Sequence, residues 1–274
     1  MAGRATQTPD RKSLSKLESK RPLTTQFIKH IFTLPTLLAF GAGAQGLLCL
    51  VLPRRYAFLP LIFFILRNAI RTAFSVRSGD YHFTKLGVIP GRTTAQLPKP
   101  GESEFSGLAS DQDIVVFHLG ARYNHPLGVL SPGGKELGEQ FDACNRELME
   151  RKEEFGCLGY SQWLGTEENA NGTILALYYF RDIEGLNRFA HDVVHRRAWE
   201  WYHGEFARKR GWSHIGIFHE AFQVPAGAWE NIYVNMPPTL MGAAASKSED
   251  GWVRTLIEAN GPVWRSQYSR MGRK

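Results

Sequence analysis

The residues best suited to chemistry lie in one stretch, His191-Asp192-Val193-Val194-His195-Arg196-Arg197-Ala198-Trp199-Glu200-Trp201-Tyr202-His203. On a helix advancing 100° per residue, His191, His195, Trp199, Tyr202 and Phe206 form one stripe. The stripe sits about 120° from the centre of the apolar face, so it borders a core instead of filling it. Histidine and tyrosine there can transfer protons or hydrogen-bond near neutral pH. The aromatic rings offer a flat apolar wall to a hydrophobic ligand. His191 and His195 are thus the candidate acid–base pair, with Trp199, Tyr202 and Phe206 as substrate contacts. An amphipathic helix end that happens to carry such residues at its boundary gives the same pattern. The i, i+4 histidines also have metal-ligand spacing, but no Glu follows His191 as in HExxH. A third ligand would have to come from His118, His214 or His219, so no metal site is expected.

A second candidate is His118-Leu119-Gly120-Ala121-Arg122-Tyr123-Asn124-His125-Pro126. Arg122 and Asn124 stand where a strand end meets a loop, a common place for binding groups, and His118 is a further substrate contact. Loop structure alone also accounts for Asn124 before His125-Pro126. No GxSxG elbow, P-loop or kinase signature occurs, which leaves hydrolase and phosphotransferase readings without support. Gly41-Ala42-Gly43-Ala44-Gln45-Gly46 matches GxGxxG, but Pro35 spoils the strand that should precede it. No acidic residue follows at the ribose-binding distance.

The elements that must position these groups read as an α+β domain. Asp113–Gly120 is a dense β-branched and aromatic strand. Leu137, Phe141, Cys144, Leu148 and Phe155 recur at helical spacing. Cys157–Leu164 and Thr173–Arg181 read as strands joined by a turn at Asn171-Gly172. A long helix from Ile183 to about Phe206 and a strand from Trp212 to Val224 complete the order βαββαβ, a ferredoxin-like arrangement. Trp229–Asn235 adds a short strand, residues 77–110 read as a linker, and residues 239–274 as a loosely ordered tail. The ferredoxin-like catalytic domain is expected over 111–238.

Charge separates this body from what precedes it. The 274-residue chain carries a formal charge of +7. Residues 1–92 hold 14 Lys/Arg against Asp10, Glu18 and Asp80, a balance of +11; residues 93–274 hold 19 against 23 acids, a balance of −4. An RNA-binding module of the same strand order would need a basic, aromatic-bearing strand signature, which is missing, so no nucleic-acid partner is expected. Cys49, Cys144 and Cys157 are odd in number and widely spaced, which fits buried thiols and not a disulfide framework.

The basic surplus of the first third surrounds an apolar region. Residues 1–30 are a basic tail, and 31–76 read as membrane-associated helices. Ile31–Leu52 is 22 residues without a formal charge, long enough to cross about 30 Å of hydrocarbon. Tyr56–Leu66 is a second, shorter apolar run closed by Arg67 and Arg71. A single span, a helical hairpin, and a span plus an interfacial helix all fit, and the basic flanks favour the hairpin with both ends cytosolic. Ala42-Gly43-Ala44 also resembles a signal-peptide cleavage site, although the polar lead is long for one. A core helix of a soluble protein is the remaining reading.

The segments 117–128 (FHLGARYNHPLG), 191–203 (HDVVHRRAWEWYH) and 216–243 (GIFHEAFQVPAGAWENIYVNMPPTLMGA) resemble a domain family of fungi and bacteria. That family is related to the antibiotic-biosynthesis monooxygenases and has members in fungal secondary-metabolite pathways such as that of fumagillin. The likeness covers roughly residues 75–245. It implies a dimeric α+β barrel of two ferredoxin-like sheets packed face to face. It also implies oxidation of a lipophilic polyketide or terpenoid with molecular oxygen as co-substrate and no cofactor in the same chain, haem and flavin staying open. A His or Tyr would then deprotonate the substrate, and Arg122 or Asn124 would hold the developing oxyanion. A dehydratase or cyclase using the same histidines, and a membrane-tethered accessory protein that shields a lipophilic intermediate, are the alternatives. The expected location is the membrane, with the catalytic domain on the cytosolic side.

Overall fold

The computed structural model describes residues 34–78, 87–165, 172–249 and 251–273. The basic tail, Ile31–Thr33, Asp80, Lys85 and Asn171 lie outside them. The chain divides into two units, one holding the described residues before Ile89 and the other the described residues from Ile89 onward.

The first unit holds two helices, α1 (Leu34–Val51) and α2 (Leu59–Arg77), with one helical turn at Arg54–Ala57 between them. Pro53 ends the first helix's run, while Pro60 falls in the opening turn of α2, where its missing N–H costs nothing. Gln45, the most polar member of the first apolar stretch, donates through Nε2 to the carbonyl of Ala57 at 3.1 Å. The second apolar run ends at Leu66, but the helix does not. Helix α2 continues through Arg67 and Arg71 because Ala, Arg and Leu-type residues carry the helix past the charge.

The body is built on a four-stranded antiparallel sheet of order β3-β4-β2-β5, formed by β2 (Ile114–Tyr123), β3 (Cys157–Leu164), β4 (Thr173–Phe180) and β5 (Ile215–Val224). With α3 (Gly134–Glu150) and the helical run after Asp182, this is the expected ferredoxin-like βαββαβ order. Period-two alternation gives β2 two distinct faces. Val115, Phe117 and Leu119 pack with Ala176, Tyr178 and Phe180 against Leu148 and Phe141 of α3 and against Leu186 and Phe189. On the other face Ile114, Leu158 and Tyr179 meet Ala95, Leu97, Trp229, Met241 and Ala244.

That second layer corrects two expectations. Within the supposed linker, β1 (Ile89–Ala95) is a strand hydrogen-bonded between β6 (Tyr233–Met236) and β9 (Leu256–Glu258), and Thr94 and Ala95 are fully buried. Its sequence, IPGRTTA, shows no alternation, and Pro90-Gly91 reads as a loop. Gly91 holds φ +89, a left-handed value that glycine tolerates. The supposed tail carries a hairpin of β7 (Ala245–Ser248) and β8 (Gly251–Arg254), then β9, and ends on the short helix α6 (Gln267–Arg270). These strands have three or four residues and bury serines (Ser246, Ser248), so hydropathy does not reveal them.

Strands β3 and β4 have the expected bounds to within one residue, and Asn171 of the turn between them lies outside the described residues. One local expectation changes. The single long helix is three pieces: α4 (Ile183–Ala190), α5 (Val193–Glu200) and a π-helical continuation over Trp201–Lys209. Asp192 causes the first break, because its side chain caps a new helix by accepting from the amide of Val194 at 2.9 Å.

The C-terminal segment is held by a buried ion pair: Arg270 Nε donates to Glu230 Oε2 at 2.6 Å, and Nη1 to the carbonyl of Trp264 at 3.0 Å. A hydrogen bond to a charged partner contributes roughly 1.5–3 kcal/mol. Arg270→Ala is therefore expected to lower unfolding free energy by about 2 kcal/mol in urea titration and to expose residues 262–273 to protease. An unchanged midpoint and cleavage pattern would show that this pair does not hold the segment.

Candidate functional site

The sheet itself separates the expected site residues. Odd-numbered positions of β2 face the helices, so His118 and Arg122 stand on the opposite, open face from His195. His118 lies opposite Glu220 in the register, with Nδ1 3.5 Å from the carboxylate and its ring 5.5 Å from Phe222. Arg122 Nε donates to Asn124 Oδ1 at 2.7 Å, while the amide of Asn124 ties to the carbonyl of His214 at 2.7 Å. Phe218 lies against Gly120 so closely that any Cβ there would meet its ring. The alternation Phe117-His118 carries this separation in the sequence.

The stripe on the second helical run does not line one wall either, because the break at Asp192 and the π-helical stretch each shift the angular phase. His191 closes α4, is exposed, and donates from Nδ1 to the carbonyl of Asn187 at 2.8 Å. Trp199 is 58% exposed and makes a tilted ring contact with His203, centroids 4.3 Å apart. Tyr202 donates its hydroxyl to the carbonyl of Ile215 at 2.7 Å, fastening the π-helical stretch to the start of β5. Phe206 is buried in a separate cluster with Tyr123 and Ile215.

His195 is the stripe member that meets the main core. It is half-buried, with its ring 5.5 Å from Phe189. Nδ1 lies 2.9 Å from the carbonyl of Ala190, an acceptor only, so Nδ1 carries the proton and the neutral ring keeps its lone pair on Nε2. Burial lowers its pKa below the ordinary 6.5; the nearby His219 and His191 act in the same direction, and the Ala190 hydrogen bond and Asp192 oppose. The Asp192 carboxylate is itself engaged: Oδ2 accepts from Arg151 Nη1 at 2.7 Å, and Arg151 also binds Glu147 and Glu154.

Facing the same core is a polar pair that the sequence reading passed over. Tyr178 of β4 donates its hydroxyl to Asn145 Oδ1 of α3 at 2.6 Å. Asn145 is only 6% exposed, and its Nδ2 has no hydrogen-bond partner. A buried donor left unpaired costs about 1–3 kcal/mol, so it calls for an explanation. Tyr160 stacks on Tyr178 at 5.3 Å and 15°, and Phe117 stands 5.9 Å from Tyr178 and 5.8 Å from His219. These rings form a row across β3, β4, β2 and β5. Beside Asn145, Cys144 Sγ approaches the carbonyl of Val194 at 3.9 Å, linking α3 to the residue before His195. Burial pushes the Cys144 thiol up to about 11 and raises Tyr178 further, so both stay protonated near neutrality. Helical spacing marks Asn145 as inward-facing, one residue from Cys144, but its amide and Tyr178's hydroxyl meet only through the fold.

The helix side of the sheet thus offers a neutral imidazole with a free lone pair, a protonated phenol and an unused amide donor, all among aromatic and aliphatic side chains. Such a set can accept a proton and stabilise a developing negative oxygen. Among the described residues no group of three or more His, Cys, Asp or Glu is arranged to hold a metal.

Comparison with known proteins adds the family. Residues 114–241 match the model described as "Monooxygenase af470-like". The chain is 37% identical over 254 residues to "Monooxygenase af470" of Aspergillus fumigatus (strain ATCC MYA-4609 / CBS 101355 / FGSC A1100 / Af293), covering 90% of each. Among solved structures, an aldoxime dehydratase in complex with butyraldoxime aligns with TM-score 0.39 and 14% identity, over 56% of this chain and 39% of that one. SnoaB, a cofactor-independent oxygenase from Streptomyces nogalater, aligns with TM-score 0.27 and 8% identity, over 40% and 91%. At these scores neither structure bears on the chemistry of this chain. The identity to the fungal monooxygenase, spread over nine-tenths of both sequences, does decide the family: this chain belongs to the Monooxygenase af470-like family.

Proposed function

We propose that this protein is a monooxygenase of fungal secondary metabolism that uses O₂ as co-substrate and no resident cofactor. Its substrate is a lipophilic polyketide or terpenoid with an acidic C–H beside a carbonyl or phenol. The observation that carries this reading is that the His195 Nε2 lone pair and the unpartnered Asn145 amide both lie on the helix-bearing side of the sheet. His195 takes the proton, and Asn145 Nδ2, braced by Tyr178, donates to the oxygen on which the charge collects. The carbanion then passes an electron to O₂, and the radical pair closes to a hydroperoxide on carbon. Loss of water leaves a carbonyl. In sum R₂CH₂ + O₂ gives R₂C=O + H₂O: the substrate supplies all four electrons, and one oxygen atom stays in the product.

The open face of the sheet supports a second element of the proposal, a homodimer. Trp163, Phe218 and Phe222 are 46%, 42% and 47% exposed there, an apolar set that favours cover. Their neighbours His118 and Glu220 are oppositely charged when His118 is protonated, so a twofold-related copy would present a matching pair. A second copy meets this face, and Arg122 and Asn124 then belong to its rim.

The precursor that accumulates when the gene is deleted from its native host provides the substrate for a direct test. Incubated with purified, metal-stripped protein under ¹⁸O₂, it should gain one labelled oxygen. A product without label, or turnover only after iron, haem or flavin is restored, would overturn the mechanism. Replacing His195 with Gln should cut turnover by roughly 10²–10⁴-fold while substrate still binds.

The pH dependence follows from the lowered pKa of His195. The folded ring binds its proton less readily than the unfolded one, so its contribution to stability is full above about pH 6.5. It is lost as pH falls from there toward the folded value. Activity should likewise rise through a pKa below 6.5 and be level by pH 7. His195→Gln should flatten this part of the stability profile in urea titrations at pH 5.5 and 7.5; an unchanged slope would remove His195 as its source. In sedimentation, Phe222→Glu should shift the protein from dimer to monomer, and a monomeric parent would refute the pairing.

A further inference from the structure

Helix α2 exposes nearly all its apolar surface: it has no buried residue, and Phe63 and Phe74 are each 69% exposed. Arg55–Arg77 is 23 residues with a mean hydropathy of 1.5 over its most apolar window, which by length and composition is enough to cross a membrane. The position of the charges argues otherwise. Arg67 is the ninth of the 19 residues of α2, so a crossing helix would place it at the bilayer centre, with Arg71 about 6 Å farther along. Charge there disfavours insertion by roughly a hundredfold per arginine. The chain has no acidic residue between Glu18 and Asp80 to pair with either. The uncharged run Tyr56–Leu66 measures about 16 Å, half of the hydrocarbon thickness.

The angular arrangement suits a different placement. Leu59, Ile62, Phe63, Leu66, Ile70 and Phe74 share an arc of about 120°, while Asn68, Arg71, Thr72 and Ser75 occupy the opposite side and Arg67 stands at the arc's edge. The first turns are apolar all round (Leu61, Phe64, Ile65), so that end sits deeper. Arg55 and Tyr56, with the guanidinium 4.9 Å from the ring centroid, form a cation–aromatic pair suited to the headgroup layer. By contrast α1 has 18 residues with no charge at all.

We propose that α2 lies along, not across, a membrane leaflet rich in anionic lipid, its apolar arc in the acyl layer and Arg67 and Arg71 on lipid phosphates. The inference is independent of the oxygenase chemistry. It is tested on the full chain in proteoliposomes of phosphatidylcholine and phosphatidylglycerol (3:1), with Cys49, Cys144 and Cys157 all replaced by Ala and single cysteines placed at Phe63, Asn68, Phe74 or Ser75. A membrane-impermeant maleimide should label positions 68 and 75 and spare 63 and 74. A crossing helix would protect positions 68 and 75, both within about 12 Å of its middle, and that result would overturn the proposal. Labelling of all four would mean that no membrane covers the helix, and labelling of none that protein or lipid surrounds it; either result also refutes it. In phosphatidylcholine alone, position 74 should react at least about fivefold faster, each arginine–anion contact being worth roughly that factor. Protection indifferent to lipid charge would refute the anionic assignment.

Discussion

The central strand β2 imposes the constraint on which the body depends. It is hydrogen-bonded on both sides, to β4 and β5, over nearly its whole length, so its register is fixed and its side chains must alternate. A slip of one residue would exchange Phe117 with His118 and Leu119 with Gly120, putting a histidine into the main core and a glycine where a packing side chain belongs. The same alternation assigns the chemistry. Phe117 separates Tyr178 from His219 on the helix side, while His118 faces Glu220 beneath the open face. Histidines that look equivalent in the chain therefore sit in different solvents with different partners.

How much of this the sequence discloses depends on the range of the forces involved. The four strands and the βαββαβ order are legible because β-branched and aromatic runs with period two are local signals, and Asp182 announces the start of α4 by its capping side chain. The strand β1 is illegible because its partners β6 and β9 lie some 140 and 165 residues on in the chain. Its burial comes from layers stacked over it and leaves no mark on its own composition. In the site, His195 is legible as a titratable residue beside an apolar face. The stripe drawn through it is not real beyond one turn: a wheel assumes uninterrupted 100° steps, and Asp192 and the π-helical stretch break them.

The Asn145–Tyr178 pair shows the converse case, a polar feature that only the fold creates. A carboxamide as buried as that of Asn145 would be expected to use every donor it has, since each unused one is a direct loss of stability. Tyr178 satisfies one amide atom and leaves the other. An apolar residue of similar size at 145 would remove the unmet demand but would also strand the Tyr178 hydroxyl, so the two residues stand or fall together. This coupling makes the pair a poor choice for stability alone and a good one for holding a partner that arrives from outside the chain.

The division of charge closes the argument about where polarity is tolerated. In the body, several cations have an anion at hand: Arg151 has three, Arg270 has Glu230, and Arg210 and Lys209 share Glu205. Helix α2 of the first unit has arginines and no acid. Cations kept unpaired by the chain are stable only where solvent or an external anion surrounds them, and Arg67 and Arg71 stand at helix positions flanked by Leu66 and Ile70. A helix of that composition requires both a phase for its apolar arc and counterions beside it. A lipid headgroup layer supplies the two within one helix diameter, whereas the bilayer interior supplies only the first and bulk water only the second.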